Sequence, residues 1–424
     1  MKDGLKVFRI PLVLEKRIFL FLSSAIALSI PFQAIYNSLF CIALLLFWML
    51  FMGKKFVASR LIIIAIISSL FWLAVAGMLY TQNTGEGLFR LQQKSLLLIL
   101  PLVFGTVSID WRVESKWIIT CFIMGIIAAC LISLVNALVF TIQENSTERF
   151  FSHGLVEFID LYAYILALLC LLALLIVAEA GLGKIQIHPK LHHRYAIAGM
   201  ALFLSVFILL LSVKQIILTW IVIAICYAIR LNKNKWLSTS IFMLPIILTI
   251  SSVFFVPTLK TKFDEVVSGS ENTIPLDRDA SLGRSWNGIA VRKALWFCSL
   301  DVIANNPWSG VGTGDGQDQL QSAYESRQFY FASRYNQFNT HNQYLQIAVN
   351  FGLVGLVLCL CSFLLLLQKG KANWFLIILL FTLASAMLTE SMLETNKGIL
   401  VMAFTLSFFF LHDGPESTTI KHIL

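Results

Sequence analysis

Long apolar runs separated by short polar joints fill residues 18–256 and return at 343–412, with one extended polar stretch, 257–342, between them. A helix needs about 20 apolar residues to cross the roughly 30 Å hydrocarbon layer of a bilayer. The runs at 18–34, 36–52, 61–79, 92–109, 117–141, 161–179, 195–213, 215–230, 236–256, 343–367, 373–389 and 398–412 lie near that length, and their interiors carry essentially no charge. The pattern predicts an all-α polytopic membrane protein of about 12 transmembrane helices, with one large loop between the ninth and the tenth. Four parts follow: a first membrane block at 1–256, a loop with amphipathic helices at 257–342, a second membrane block at 343–412, and a short polar tail at 413–424.

One boundary needs an argument. Residues 195–229 run on with Lys214 as the sole interruption. A single helix of that length would exceed about 50 Å at 1.5 Å per residue, too long for one crossing. A tight reversal at Lys214 is expected.

Charge then orients the chain. With the N-terminus placed in the cytoplasm, 19 Lys and Arg fall on the cytoplasmic side, 5 in short outer loops (Arg90, Lys94, Arg149, Lys214 and Lys397) and 8 in the long segment. Cytoplasmic loops are enriched in Lys and Arg, so both termini are expected in the cytoplasm and 257–342 on the periplasmic face of the inner membrane. The basic start, Lys2 to Arg17, leads into an apolar run without a small-residue cleavage site, so no cleavable signal is expected. The composition is 58% hydrophobic and 13% charged, against about 25% charged in soluble domains. The net charge of +9 does not indicate nucleic acid, because the basic residues sit in short loops rather than on one polar surface. Seven of eight cysteines lie in apolar runs, and Cys298 stands apart in the loop, so neither a disulfide framework nor a CxxC metal site is expected.

The candidate chemistry concentrates in the loop. Residues 285–305 read as an amphipathic helix with Ile289, Trp296, Leu300 and Ile303 near one face and Arg292 one turn before Trp296, ended by Asn306-Pro307. Gly310, Gly312, Gly314 and Gly316 follow; a plain turn suits them better than an anion nest. Tyr324, Phe329, Tyr330, Phe331, Tyr335 and Phe338 could stack on sugar rings or form an interfacial aromatic belt. His341 follows at the mouth of the tenth span, with Asn339 or Thr340 as the expected N-cap. In that first turn the helix dipole disfavours an imidazolium, and a neutral imidazole serves as a general base; an interfacial histidine bonding a loop carbonyl is the other reading. The outer cations Arg90, Lys94, Lys214, Arg284 and Arg292 are either phosphate ligands or anchors reaching the lipid headgroups. Asp277-Arg278-Asp279 and the cytoplasmic His188, His192 and His193 read as solvated charge rather than metal ligands.

Arg292-xxx-Trp296, Asn306-Pro307-xx-Gly310-x-Gly312-x-Gly314, His341-Asn342-x-Tyr344-Leu345 and Gly352-xx-Gly355-Leu356, in a chain with this span layout, resemble the O-antigen ligase and polymerase superfamily. The resemblance implies a membrane-embedded inverting glycosyltransferase that moves a glycan from undecaprenyl diphosphate to an acceptor hydroxyl. The acceptor is lipid A-core in the ligases and a second lipid-linked repeat unit in the polymerases. It implies no metal and no other cofactor. Combined with the residues read above, His341 is expected as the catalytic base, and Arg292, Lys214, Arg284, Arg90 and Asn342 as diphosphate or substrate ligands. The family often places an Arg after a Ser in an outer mid-chain turn; here that place reads Ser212-Val213-Lys214, shifted and with Lys. Ligase is preferred to polymerase. A transporter or lipid scramblase is a third reading; the lack of ionisable groups inside the spans stands against coupled transport but not against a passive scramblase.

Overall fold

The computed structural model describes residues 10–109, 111–231, 243–252, 260 and 288–412. Arg284, the Asp277-Arg278-Asp279 triplet and the tail from Asp413 lie outside them. The helices are α1 (Leu12–Ser29), α2 (Ala34–Phe51), α3 (Ala58–Gly77), α4 (Thr84–Lys94), α5 (Leu96–Thr106), α6 (Trp111–Glu144), α7 (Ser152–Val156), α8 (Ala163–Gly181), α9 (Arg194–Leu211), α10 (Lys214–Arg230), α11 (Met243–Ser252), α12 (Gly288–Asn305), α13 (Gly316–Ser326), α14 (Gln343–Gly370), α15 (Trp374–Ala386) and α16 (Asn396–His412). Among the described residues 7 helical segments are long and apolar enough to cross a membrane, and α11, α15 and the apolar part of α16 are shorter apolar helices. No strand is formed among the described residues; Lys54 and Val107 make an isolated bridge.

The chain divides into two compact units, residues 1–55 with 106–264 and residues 56–105 with 265–424. In the first, α1 packs on α2 and α6, and α8 packs on α9. Gly125 explains the close approach of α6 to α1: a Cβ there would meet the Leu28 carbonyl oxygen at 2.3 Å. Small residues at crossings let membrane helices approach closely. α8 is buried along nearly its whole length, as its unbroken apolar sequence requires. Its one carboxylate, Glu179, accepts a hydrogen bond from the Tyr227 hydroxyl at 2.5 Å and lies 3.7 Å from Lys184 Nζ. The interruption at Lys214 is a helix break: Ser212 takes a left-handed conformation (φ 53°), Val213 is extended, and Lys214 opens α10.

In the second unit α14 packs on α3, α12 and α15. It is kinked at Gly352 (φ 65°). The kink frees backbone groups, and the glycine loop takes them up. Val311 and Gly312 donate N–H groups to the carbonyls of Val349 and Asn350 at 3.0 and 2.9 Å, while Leu353 donates to Pro307 at 2.7 Å. Unpaired backbone groups cost several kcal/mol in lipid, so a broken membrane helix persists only where neighbours satisfy it. The N–H groups of Val311, Gly312 and Gly314, the last paired with Thr81 Oγ1 at 3.3 Å, are thus engaged within the protein. The same loop is tied to the end of α3: Thr313 Oγ1 donates to the Ala74 carbonyl at 2.6 Å, and the Asp315 carboxylate accepts from the N–H groups of Gln82 and Asn83 at 2.8 and 2.7 Å.

α12 ends at Asn305, as Asn306-Pro307 implies, but its buried face is not the expected one. Ala290, Ala294, Leu295, Cys298 and Val302 face inward, whereas Leu300 is 51% exposed. Large apolar side chains suggested one stripe. The small residues one step away give the closer packing, and Trp296 and Ile303 only flank the core.

Candidate active site

Two neighbouring turns of the second unit build the site. The first, 339–342, leads into α14. Asn342 is the N-cap: its Oδ1 accepts from the N–H groups of Tyr344 and Leu345 at 3.0 and 3.1 Å. This corrects the expectation that Asn339 or Thr340 caps the helix. Thr340 Oγ1 instead donates to the Asn342 carbonyl at 2.7 Å, and Asn339 Oδ1 accepts from the His341 N–H at 2.9 Å. His341 precedes the cap with φ 45°, so it is not a first-turn residue and the dipole argument does not apply to it. The Oδ1 of Asn342, a residue expected to bind substrate, is occupied in capping.

The second turn, 387–395, joins α15 to α16 and docks on the first. The Met387 carbonyl accepts from Gln343 N–H at 2.9 Å, Leu393 N–H donates to Gln343 Oε1 at 2.6 Å, and Ser391 Oγ lies 3.0 Å from Thr340 Oγ1. This turn carries two carboxylates that sequence reasoning missed. Glu390 Oε2 lies 2.9 Å from His341 Nδ1, and Glu390 Oε1 accepts from Arg292 Nη2 at 2.5 Å. Glu394 lies 3.2 Å from Lys94 Nζ and 3.6 Å from Arg90 Nη1. The signal was present as two acids within five residues of a short turn between apolar runs.

Arg292, His341 and Glu390 thus form one hydrogen-bonded line. Arg292 is further fixed through Nε to the Thr389 carbonyl and through Nη1 to the Gly288 carbonyl, each at 3.2 Å. Burial pushes the Glu390 carboxyl up, but the hydrogen bond from His341 and the charges of His341 and Arg292 outweigh it and hold the group below the ordinary carboxylate range. Phe338 packs on the imidazole, ring centroids 5.3 Å apart and planes at 70°. With Nδ1 turned to Glu390, Nε2 is the ring nitrogen left to meet a substrate. A histidine oriented by a carboxylate at one nitrogen and presenting the other is suited to proton transfer.

The other expected ligands divide. Arg90 Nε lies 2.7 Å from Glu86 Oε1, so its guanidinium is held by two carboxylates. Lys214 belongs to the first unit, at the start of α10. Cys298 is buried, which pushes its thiol up to about 12 and makes it a poor nucleophile. Among the described residues no group of three or more His, Cys, Asp or Glu is placed to hold a metal ion.

No curated protein matches the chain. The sequence model of the O-antigen ligase family matches residues 200–360, a stretch that includes Lys214, Arg292 and His341. That match supports the O-antigen ligase-like superfamily for this chain.

Proposed function

We propose that the chain is an inverting, membrane-embedded glycosyltransferase of the ligase type, transferring a glycan from undecaprenyl diphosphate to a lipid A-core hydroxyl at the periplasmic face of the inner membrane. The match to the O-antigen ligase family over residues 200–360 and the apolar helices support an O-antigen ligase or polymerase-type enzyme in a bilayer, acting on lipid-linked glycans. The observation that carries the mechanism is the Glu390 bridge between His341 and Arg292.

In this reading His341 Nδ1 donates to Glu390, which leaves the lone pair on Nε2. The acceptor oxygen attacks the anomeric carbon while its proton passes to Nε2. The bond from that carbon to the diphosphate oxygen breaks, undecaprenyl diphosphate leaves with the electron pair, and the configuration inverts. Arg292 stabilises the charge that grows on the leaving diphosphate: its hydrogen bonds to Thr389, Gly288 and Glu390 use three of the five guanidinium N–H groups, so two remain for phosphate oxygens. Arg90 acts here as a brace held by Glu86 and Glu394. Lys214 and Arg284 keep the phosphate-binding role their outer positions suggest. No metal or other cofactor is required, because the diphosphate is an activated leaving group.

The test incubates purified protein with undecaprenyl-diphosphate-linked glycan and lipid A-core and reads product mass. His341→Ala is expected to lower transfer by about 10²–10⁴-fold, the usual worth of a general base. Near-normal transfer by that variant, or abolition by a chelator, would overturn the mechanism. Capped lipid A-core identifies a ligase; a ladder of lengthening lipid-linked glycan identifies the polymerase alternative.

A further inference from the structure

Six aromatic residues at 324–338 were candidates for stacking on sugar, and their surroundings separate them. Tyr324 and Phe329 are 0% and 4% exposed in the core beneath α12 and α13. Phe331 packs against that same core, and the face of Tyr330 is covered by the Arg334 guanidinium 4.2 Å from its centroid. The Tyr335 side chain lies outside the described ones. Phe338 is half-buried and also packs against that core and against Phe331 (centroids 5.9 Å apart), but of the six it is the one whose ring meets the candidate base, 5.3 Å from His341 between ring centroids.

The backbone of Phe338 is held by bonds that do not involve His341. Its N–H donates to the Ala332 carbonyl at 3.1 Å. Its carbonyl accepts from two side-chain amides one turn apart on α13, Gln317 at 3.3 Å and Gln321 at 3.1 Å. Gln317 also donates to the Gln337 carbonyl at 2.9 Å, which holds the left-handed residue before Phe338. Two amides therefore anchor the backbone that carries this ring, with no bond to the base itself.

A hydroxyl that gives its proton to His341 must come within about 3 Å of the ring nitrogen. Phe338 is the aromatic ring in contact with that imidazole, at a centroid distance of 5.3 Å that a single pyranose spans. Arg292, by contrast, meets His341 through Glu390. We propose that Phe338, held by Gln317 and Gln321, is the platform of the acceptor-sugar subsite, stacking on the apolar face of the pyranose whose hydroxyl attacks. The proposal rests on the transferase reading above. The fixed backbone keeps the ordering cost of such a contact low.

The experiment measures steady-state transfer with purified lipid A-core as acceptor, and separately with lipid-linked repeat unit, varying acceptor and donor in turn. An aromatic contact worth about 1 kcal/mol corresponds to roughly a fivefold to tenfold change in binding. Phe338→Ala is expected to raise the acceptor KM by about that factor, with donor KM and kcat at saturating acceptor near the wild-type values. Phe338→Leu, which keeps apolar bulk and loses the flat ring, is expected to do the same and carries the test if the alanine variant does not fold. Phe338→Trp is expected to restore the acceptor KM. A fall in kcat with acceptor KM unchanged would overturn the subsite, since Phe338 would then only position His341; a rise in donor KM instead would overturn it as well. His341→Ala in the same assay reads the base assignment through kcat, so failure of that reading is seen separately.

Discussion

Glu390 Oε2 and His341 Nδ1 face one another at 2.9 Å across two turns that lie 49 residues apart in sequence. The contact exists because both turns are docked by buried polar bonds, Thr340 to Ser391 and Gln343 to Leu393. A carboxylate so placed selects the tautomer and the direction of Nε2. Glu390→Gln preserves shape, yet its amide can donate to Nδ1 and favour the wrong tautomer. Transfer is expected to fall by about 10²–10⁴-fold with acceptor KM little changed. Glu390→Asp is expected to recover part of the loss by restoring the charge. The kcat of purified variants is the measurement, and equal activity of the Gln variant would remove Glu390 from the mechanism.

The same carboxylate makes a prediction about acid stability. Its folded value is held below the ordinary 4.5 by His341 and Arg292. A depressed carboxyl contributes stability that is present above the unfolded value and is lost as pH falls through the lower, folded value. The difference in unfolding temperature between wild type and Glu390→Gln is therefore expected to be largest above pH 4.5 and to close as pH drops below it. Thermal unfolding in detergent followed by tryptophan fluorescence gives both curves. Parallel curves through that window would mean that Glu390 forms no ion pair in the folded protein.

The sequence displayed the scale of the elements better than the site. Apolar runs foretold long apolar helices because lipid demands continuous apolar length, though 7 segments among the described residues reach crossing length against the 12 or so expected. The excess length of 195–229 forced the break found at Ser212 and Val213. His341 and Arg292 were legible as polar residues that an apolar chain has little other reason to keep. Glu390 and Glu394 were not, since an acid in a short turn looks solvated until the fold puts a cation against it. The kink at Gly352 was hidden for a similar reason: it is stable only because a loop some forty residues earlier supplies the missing partners. Likewise the inward face of α12 is decided by Ala290, Ala294 and Cys298 against their neighbours, which a stripe of large side chains does not reveal.

Glu394 carries the third prediction. Lys94 and Glu394 have side chains only 5% and 9% exposed, at 3.2 Å. Removing one partner of a buried pair strands the other charge and costs about 3–5 kcal/mol. Glu394→Gln is expected to lower the unfolding temperature markedly, and the double variant Glu394→Gln with Lys94→Met to regain part of it. The donor KM separates two roles for Arg90. A brace released from Glu394 leaves donor affinity no better than before, whereas a phosphate ligand released from a competing carboxylate would bind donor more tightly.

The glycine kink gives the last prediction. Gly352 has φ 65°, and a Cβ there would stand 2.2 Å from the Trp308 carbonyl oxygen. Gly310 opposes it with φ 67°, its would-be Cβ 2.4 Å from the Asn350 carbonyl carbon. Both positions combine a conformation that side chains resist with backbone that has no room to move. Gly352→Ala must either straighten the helix, which breaks the bonds from Val311 and Gly312, or push the loop away from α14. Either outcome disturbs the loop that leads from α12 to α13 and so the setting of Arg292 and Phe338. A loss of several kcal/mol in stability is expected from this class of change, with transfer falling alongside it. Gly199→Ala on α9, where a Cβ would meet nothing within 4 Å, is the control and is expected to be neutral or slightly stabilising, since alanine is the better helix former. Equal unfolding temperatures for the two variants would show that the kink tolerates a side chain and that the glycine loop does not hold it.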